Sequence, residues 1–250
     1  MKPSNPGLSA EHAPEAVRRR LGAAPIPSYL RDFIYGAIDG AVTTFAVVAG
    51  VEGAGLSASV VLILGVANLV ADGFSMAVSN FLGLRAERQQ VDRARLQEER
   101  HIDLVPEGER EEIRQIFAAK GFAGADLERV VEVITADRDL WVSTMLSEEL
   151  GLGGTRPSPL RAGATTFLAF VTVGALPLVA FAADAVAPDG LEHAFAWSAA
   201  MTGVAFFAVG SLKARFVEQA WWRAGLETLA IGGAAATLAY AAGALLASVV

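Results

Sequence analysis

An aspartate stands in the middle of an apolar run. Asp39 lies about a third of the way along FIYGAIDGAVTTFAVVAGV, and neither Lys nor Arg occurs in that stretch. A carboxylate surrounded by hydrocarbon costs several kcal/mol unless it is paired, hydrated or protonated, which makes it a functional candidate by default. A second apolar run carries Asn68, Asp72, Ser75, Met76 and Ser79 at i, i+4, i+7, i+8 and i+11. That is the spacing of one helical face. Such a stripe offers oxygen atoms for hard cations and a thioether that adds affinity for softer ones. Asp39 and Asp72 together point to a path for cations or protons. Glu227, in a later apolar run, is open between that path and an interfacial anchor, because Arg223 lies four residues before it.

The polar middle of the chain carries a second set of groups. Glu98 and His101 are spaced i,i+3, Glu109 and Glu112 i,i+3, and Met145 and Glu149 i,i+4, so each pair shares a helical face. Carboxylates with an imidazole suit Fe(II), Mn(II), Co(II) or Zn(II), and several carboxylates can bridge more than one ion. By spacing alone, the same acids also fit a solvated face tied by salt links, for which Arg95, Arg110, Arg114 and Arg129 are at hand.

The elements that must position these groups follow from where charge is absent. All 20 Lys and Arg fall within residues 2–31, 85–161 and 213–223. A helix crossing roughly 30 Å of hydrocarbon needs about 20 apolar residues. Qualifying runs are Phe33 to Val51, Ala58 to Leu84, Ala162 to Ala183, Ala194 to Leu212 and Gly225 to Val250. Basic residues near a span resist translocation. The basic blocks therefore mark the cytoplasmic side, and the acidic connections Glu52 to Ser57 and Asp184 to His193 mark the other. The expected fold is all-α: a multi-pass protein of a plasma or organelle membrane with five transmembrane helices and a cytoplasmic helical insert between the second and third. Its N-terminus is cytoplasmic and its C-terminus lies opposite. The expected organisation is a disordered basic tail at residues 1–28, helices 1 and 2 at 29–84, an acidic metal-binding insert at 85–158, and helices 3 to 5 at 159–250. Gly36 and Gly40 flank Asp39 at a spacing that lets another helix approach closely and could seat Asp39 at the seam.

No Gly or Pro interrupts residues 84 to 105, so the second span should continue as a helix to Val105-Pro106. A second helix should follow Pro106 and stop at Lys120-Gly121. A third should run from Asp126, an N-cap, to Gly151 with a break near Asp137. Cysteine is absent, which excludes disulfides and thiolate metal sites. Of 27 acidic residues, 16 lie between Glu87 and Glu149, so this block is no nucleic-acid footprint.

The segments YGAIDGAVTTFAVVAG and VANLVADGFSMAVSNFL, followed by an acidic block ending in WVSTMLSEELGL, resemble the vacuolar iron transporter family over about residues 29–250. The resemblance implies a five-helix homodimer embedded in lipid that moves Fe(II), and in some members Mn(II), out of the cytoplasm in exchange for protons. It implies no resident cofactor, the metal being cargo. Asp39 and Met76 match family residues that line a path between the subunits, and a family glutamate falls at Asn68, with Asp72 one turn later. In the insert, the family's metal ligands fall on Glu98, Glu109, Glu112, Met145 and Glu149. His101 replaces a further glutamate and Leu146 a methionine. A rival from another class is a membrane-tethered di-iron ferroxidase or iron-storage module, for which Glu98-x-x-His101 has the spacing. That rival needs a second Glu-x-x-His, and the remaining histidines, His12 and His193, do not supply it.

Overall fold

The computed structural model describes residues 10–22, 28–187, 191–215 and 219–249, and within them every regular element is a helix. They are α1 (Pro14–Gly22), α2 (Leu30–Gly53), α3 (Ala58–Leu104), α4 (Pro106–Ala119), α5 (Gly124–Thr135), α6 (Arg138–Glu148), α7 (Pro159–Gly174), α8 (Leu176–Val186), α9 (Ala194–Lys213) and α10 (Trp221–Ala247). By contacts they group into two compact units, residues 1–28 with 101–156 and residues 29–100 with 157–250. Parts of the tail and of the third and fourth connections between spans (1–9, 23–27, 188–190 and 216–218) lie outside the described residues.

Among the described residues, α2, α3, α9 and α10 are each long and apolar enough to cross a membrane, and α7 with α8 adds a fifth if the bent pair is one span. The third run, expected as one span over Ala162 to Ala183, is two helices. It bends by 47° where α7 meets α8, next to Pro177. Proline withholds a backbone N–H and its ring collides with the preceding turn, so the axis must turn. The Pro177 carbonyl is taken by the fully buried hydroxyl of Ser198 at 2.6 Å. Thr166, Thr202 and Thr228 instead donate to carbonyls four residues back in their own helices, which lets hydroxyls sit in a dry interior.

Helix α2 is the centre of its unit, packed by α7, α9 and α10. Its most apolar stretch is 56% buried, against 22% for α3 and 11% for α10, so those two keep broad apolar faces uncovered. The core gathers Phe45, Val48, Phe170, Leu178, Phe181 and Phe206. Gly36 and Gly40 do form a close helix seam, since a Cβ on either would collide with the backbone carbonyls of Thr166 or Phe170 on α7. Asp39 is not in that seam. It lies on another side of α2, exposed.

In the other unit, α4 starts with Pro106 in its first turn and ends at Ala119, with Lys120 as its C-cap and Gly121 following at φ 98°. The third region is broken where expected, and Asp137 caps α6 by accepting a hydrogen bond from the Leu140 N–H at 3.0 Å. Asp126 is no cap: α5 already begins at Gly124, whose φ of 57° makes the turn, and Asp126 lies in the first turn. The tail, expected to lack structure, contains α1. Glu15 in its first turn and Arg19 and Arg20 in its last complement the helix dipole.

Candidate metal pathway and metal centre

Asp39 and Met76 open into one cavity of about 850 Å³, whose walls also include Tyr35, Val42 and Ile231. Asp72, one turn before Met76 on α3, is exposed. Asn68 does not stand free on its stripe. Its amide donates to the Thr43 hydroxyl at 3.3 Å, and that hydroxyl donates to the Asp39 carbonyl at 2.9 Å. The amide nitrogen only donates, so the side-chain carbonyl is the ligand atom Asn68 can offer.

Bases reach this cavity from helix ends, although the apolar runs carry none: Arg31 and Lys213 both line it. Arg31 lies 5.4 Å from the centre of the Tyr35 ring, and Lys213 lies 3.4 Å from Glu227. Among the described residues no ion pair joins Asp39 or Asp72 to a base. Glu227 is thus partnered across helices by Lys213, not by Arg223. The Arg223 guanidinium sits 5.0 Å over the Trp222 ring.

A polar knot that the stripe pattern did not single out ties α2, α3 and α7 together. The Asn80 amide donates to Asp32 and to the Thr166 hydroxyl, both at 2.8 Å. The signal was available: Asp32 precedes Asp39 by seven residues and Asn80 follows Met76 by four, on the same helical faces.

The middle block brings together part of the expected ligand set. Glu98 and His101, one turn apart near the end of α3, and Glu109 in the first turn of α4 each offer a ligand atom, all within 4.8 Å of one another. His101 Nδ1 is 3.4 Å from Glu109 Oε1. Glu98 and Glu109 are each only 3% exposed. Two carboxylates and an imidazole at such separations can close on one divalent ion. Glu112 and Glu149 are exposed and lie outside that cluster, while Met145 is wholly buried on α6 beside Trp141 and Leu146.

The solvated-face pattern holds for other acids. Arg114 takes Glu111 and Glu128, Arg129 takes Glu132, Lys120 takes Glu148, Arg110 approaches Glu107, and Arg138 grips Asp103 with two bonds of 2.6 and 2.9 Å. The Arg138 hydrogen bonds hold Asp103 below the usual carboxylate range, and Arg114 does the same for Glu128. Glu111 is lowered first by Gln115 and then by Arg114.

A model of the VIT family matches residues 30–244. The chain belongs to the VIT family. Its similarity to curated VIT relatives runs through both units. It is 36% identical over 229 residues to the vacuolar iron transporter of Toxoplasma gondii, covering 89% of this chain and 76% of that one. It is 32% identical over 214 residues to vacuolar iron transporter 1 of Arabidopsis thaliana, covering 84% and 83%. To the vacuolar iron transporter of Plasmodium falciparum it is 31% identical over 196 residues, covering 76% and 72%.

Proposed function

We propose that this protein is an integral membrane transporter of divalent iron, of which Mn(II) is a second substrate, and that it moves metal out of the cytoplasm in exchange for protons. The observation that carries the reading is Asp39: an acid, exposed on an apolar helix, opening with Met76 into one cavity. A carboxylate in low dielectric gains proton affinity, whereas a bound dication favours its charged form. Metal and proton then compete for the same oxygens, which is the chemical requirement for exchange.

With α7 and α8 counted as one bent crossing the protein has five spans, and the basic residues that flank them support a cytoplasmic N-terminus and a cytoplasmic insert between α3 and α7. There Glu98, His101 and Glu109 capture the ion. Glu112 on α4, Met145 on α6 and Glu149 at the C-cap of α6 would be the ligands of a further ion. Asp72 and the Asn68 carbonyl extend the path beside Asp39. The exposed acids also supply the reason for a homodimer: ionised Asp39 and Asp72 facing lipid are too costly to leave uncovered. A second copy over that face would close the path between subunits.

The test is full-length protein in liposomes with a trapped Fe(II) dye and an imposed pH gradient. Wild type should accumulate Fe(II) only with the gradient, and Asp39→Ala should abolish it. Uptake by Asp39→Ala equal to wild type would refute the mechanism.

A further inference from the structure

The cavity that holds Asp39 and Met76 holds Lys213 as well. Lys213 is the last residue of α9, and its ammonium lies 3.4 Å from a carboxylate oxygen of Glu227 on α10. As an anchor between these helices the pair is superfluous. The two helices already close through Gly210, where a Cβ would overlap Thr228, and through Gly225, where it would overlap Phe207 and Ser211. An ion pair with both side chains partly in contact with water contributes little to stability, and these are 34% and 49% exposed. Arg31, the other base of the cavity, is committed to the face of Tyr35.

A fixed ammonium beside a cation path has a definite electrostatic consequence. We propose that Lys213 is the resident counter-charge of this cavity, limiting how readily a divalent cation occupies it, and that Glu227 is a positioning residue whose carboxylate sets how much of that repulsion the cation meets. The inference rests on the transport reading above and deepens it. Across a cavity roughly 10 Å wide, judged from its volume of about 850 Å³, one unit charge alters the occupancy of a dication by roughly three- to tenfold when water fills the cavity and the effective dielectric is near-aqueous, about 50–80. The charge count then fixes the sign. The intact pair is neutral, loss of Lys213 leaves one negative charge, and loss of Glu227 leaves one positive charge.

The experiment measures initial rates of Fe(II) uptake against concentration, using full-length protein in liposomes. Lys213→Met should lower KM three- to tenfold, Glu227→Gln should raise it by a similar factor, and the double variant should return to within about twofold of wild type. Lys213→Arg, which keeps the charge, should leave KM unchanged. A structural strut gives a different result: both single variants lose Vmax, their KM values move the same way or not at all, and the double variant is no better. That outcome overturns the proposal. Should Lys213→Met fail to fold, the direction of the Glu227→Gln shift decides alone. If wild type takes up no Fe(II) beyond protein-free liposomes, the transport reading itself has failed, and the counter-charge falls with it.

Discussion

Asn80→Ala should weaken the transmembrane helix bundle by about 1–3 kcal/mol, through one end of it. The Asn80 amide makes two bonds, each 2.8 Å long, to partners on two other helices. In water-soluble proteins a bond to a charged acceptor contributes about 1.5–3 kcal/mol and one to a neutral hydroxyl about 1. Polar contacts between membrane helices average only about 0.6 kcal/mol, because the separated helices find other partners. Two such contacts set the lower bound, and the charge on Asp32 raises the upper one. The loss should concentrate on Asp32, since the Thr166 hydroxyl still donates to the Ala162 carbonyl at 3.0 Å. A double-mutant cycle of Asp32→Asn with Asn80→Ala should therefore give a coupling of about 1 kcal/mol or more, and a cycle with Thr166→Val a smaller one. Asn80→Asp, which sets two carboxylates at hydrogen-bonding distance, should be worse than Ala. The assay is reversible unfolding of the purified full chain in mixed micelles, followed by tryptophan fluorescence. Zero coupling between Asp32 and Asn80, or a cost below about 0.3 kcal/mol for Asn80→Ala, refutes the assignment.

Two further outcomes concern the ligands and the charge network. Removing Glu109 or His101 from the full-length protein should weaken Co(II) binding in a calorimetric titration by at least about tenfold, whereas Glu112→Gln, outside the cluster, should change it by less than threefold. The second concerns acid. Asp103, Glu111 and Glu128 all have lowered pKa values, the first through Arg138, the second through Gln115 and Arg114, the third through Arg114. A group whose folded pKa is depressed stabilises the fold above its ordinary pKa, and that stabilisation is lost as pH falls through the folded value. The helices α4 to α6 should accordingly keep their packing from pH 8 to 5 and loosen only below about pH 4. Emission of the buried Trp141, read in a variant with Trp197, Trp221 and Trp222 changed to Phe, should shift to the red there. A shift centred near pH 6 would contradict the assignment.

What could be read from the sequence, and what could not, divides along the range of the interactions involved. Helices whose position depends on the absence of charge or on local stop signals were legible: the apolar runs, the unbroken passage of α3 to Leu104, the start at Pro106, the stop at Gly121 and the break near Asp137, though the cap expected at Asp126 falls at Asp137 instead. Glu98 and His101 were legible as a pair because an uninterrupted helix fixes i,i+3 neighbours whatever surrounds them. The bend at Pro177 was passed over, because a count of apolar residues is the same whether the axis is straight or turned, although a proline inside the run is itself the signal of a kink. Glu227 shows the limit most clearly. Its sequence neighbour Arg223 suits an i,i+4 link, yet Arg223 lies over the Trp222 ring and Lys213, 14 positions away, takes the carboxylate instead.

The same distinction separates the two candidate sites. In the middle block the burial of Glu98 and Glu109 and their closeness to His101 arise from segments only a few residues apart, so the geometry is nearly local. The Asp39 cavity is assembled from helix α2, the middle of α3, the end of α9 and α10. No periodicity in any one of these announces the others. Composition could state that a lone acid in hydrocarbon needs a positive partner. Which partner it has depends on the fold: a base placed in the same cavity, but held by a different carboxylate. On the transport reading proposed above, that pairing is what leaves the Asp39 carboxylate to the cargo, and it moves the control of the cavity's charge to Lys213 and Glu227.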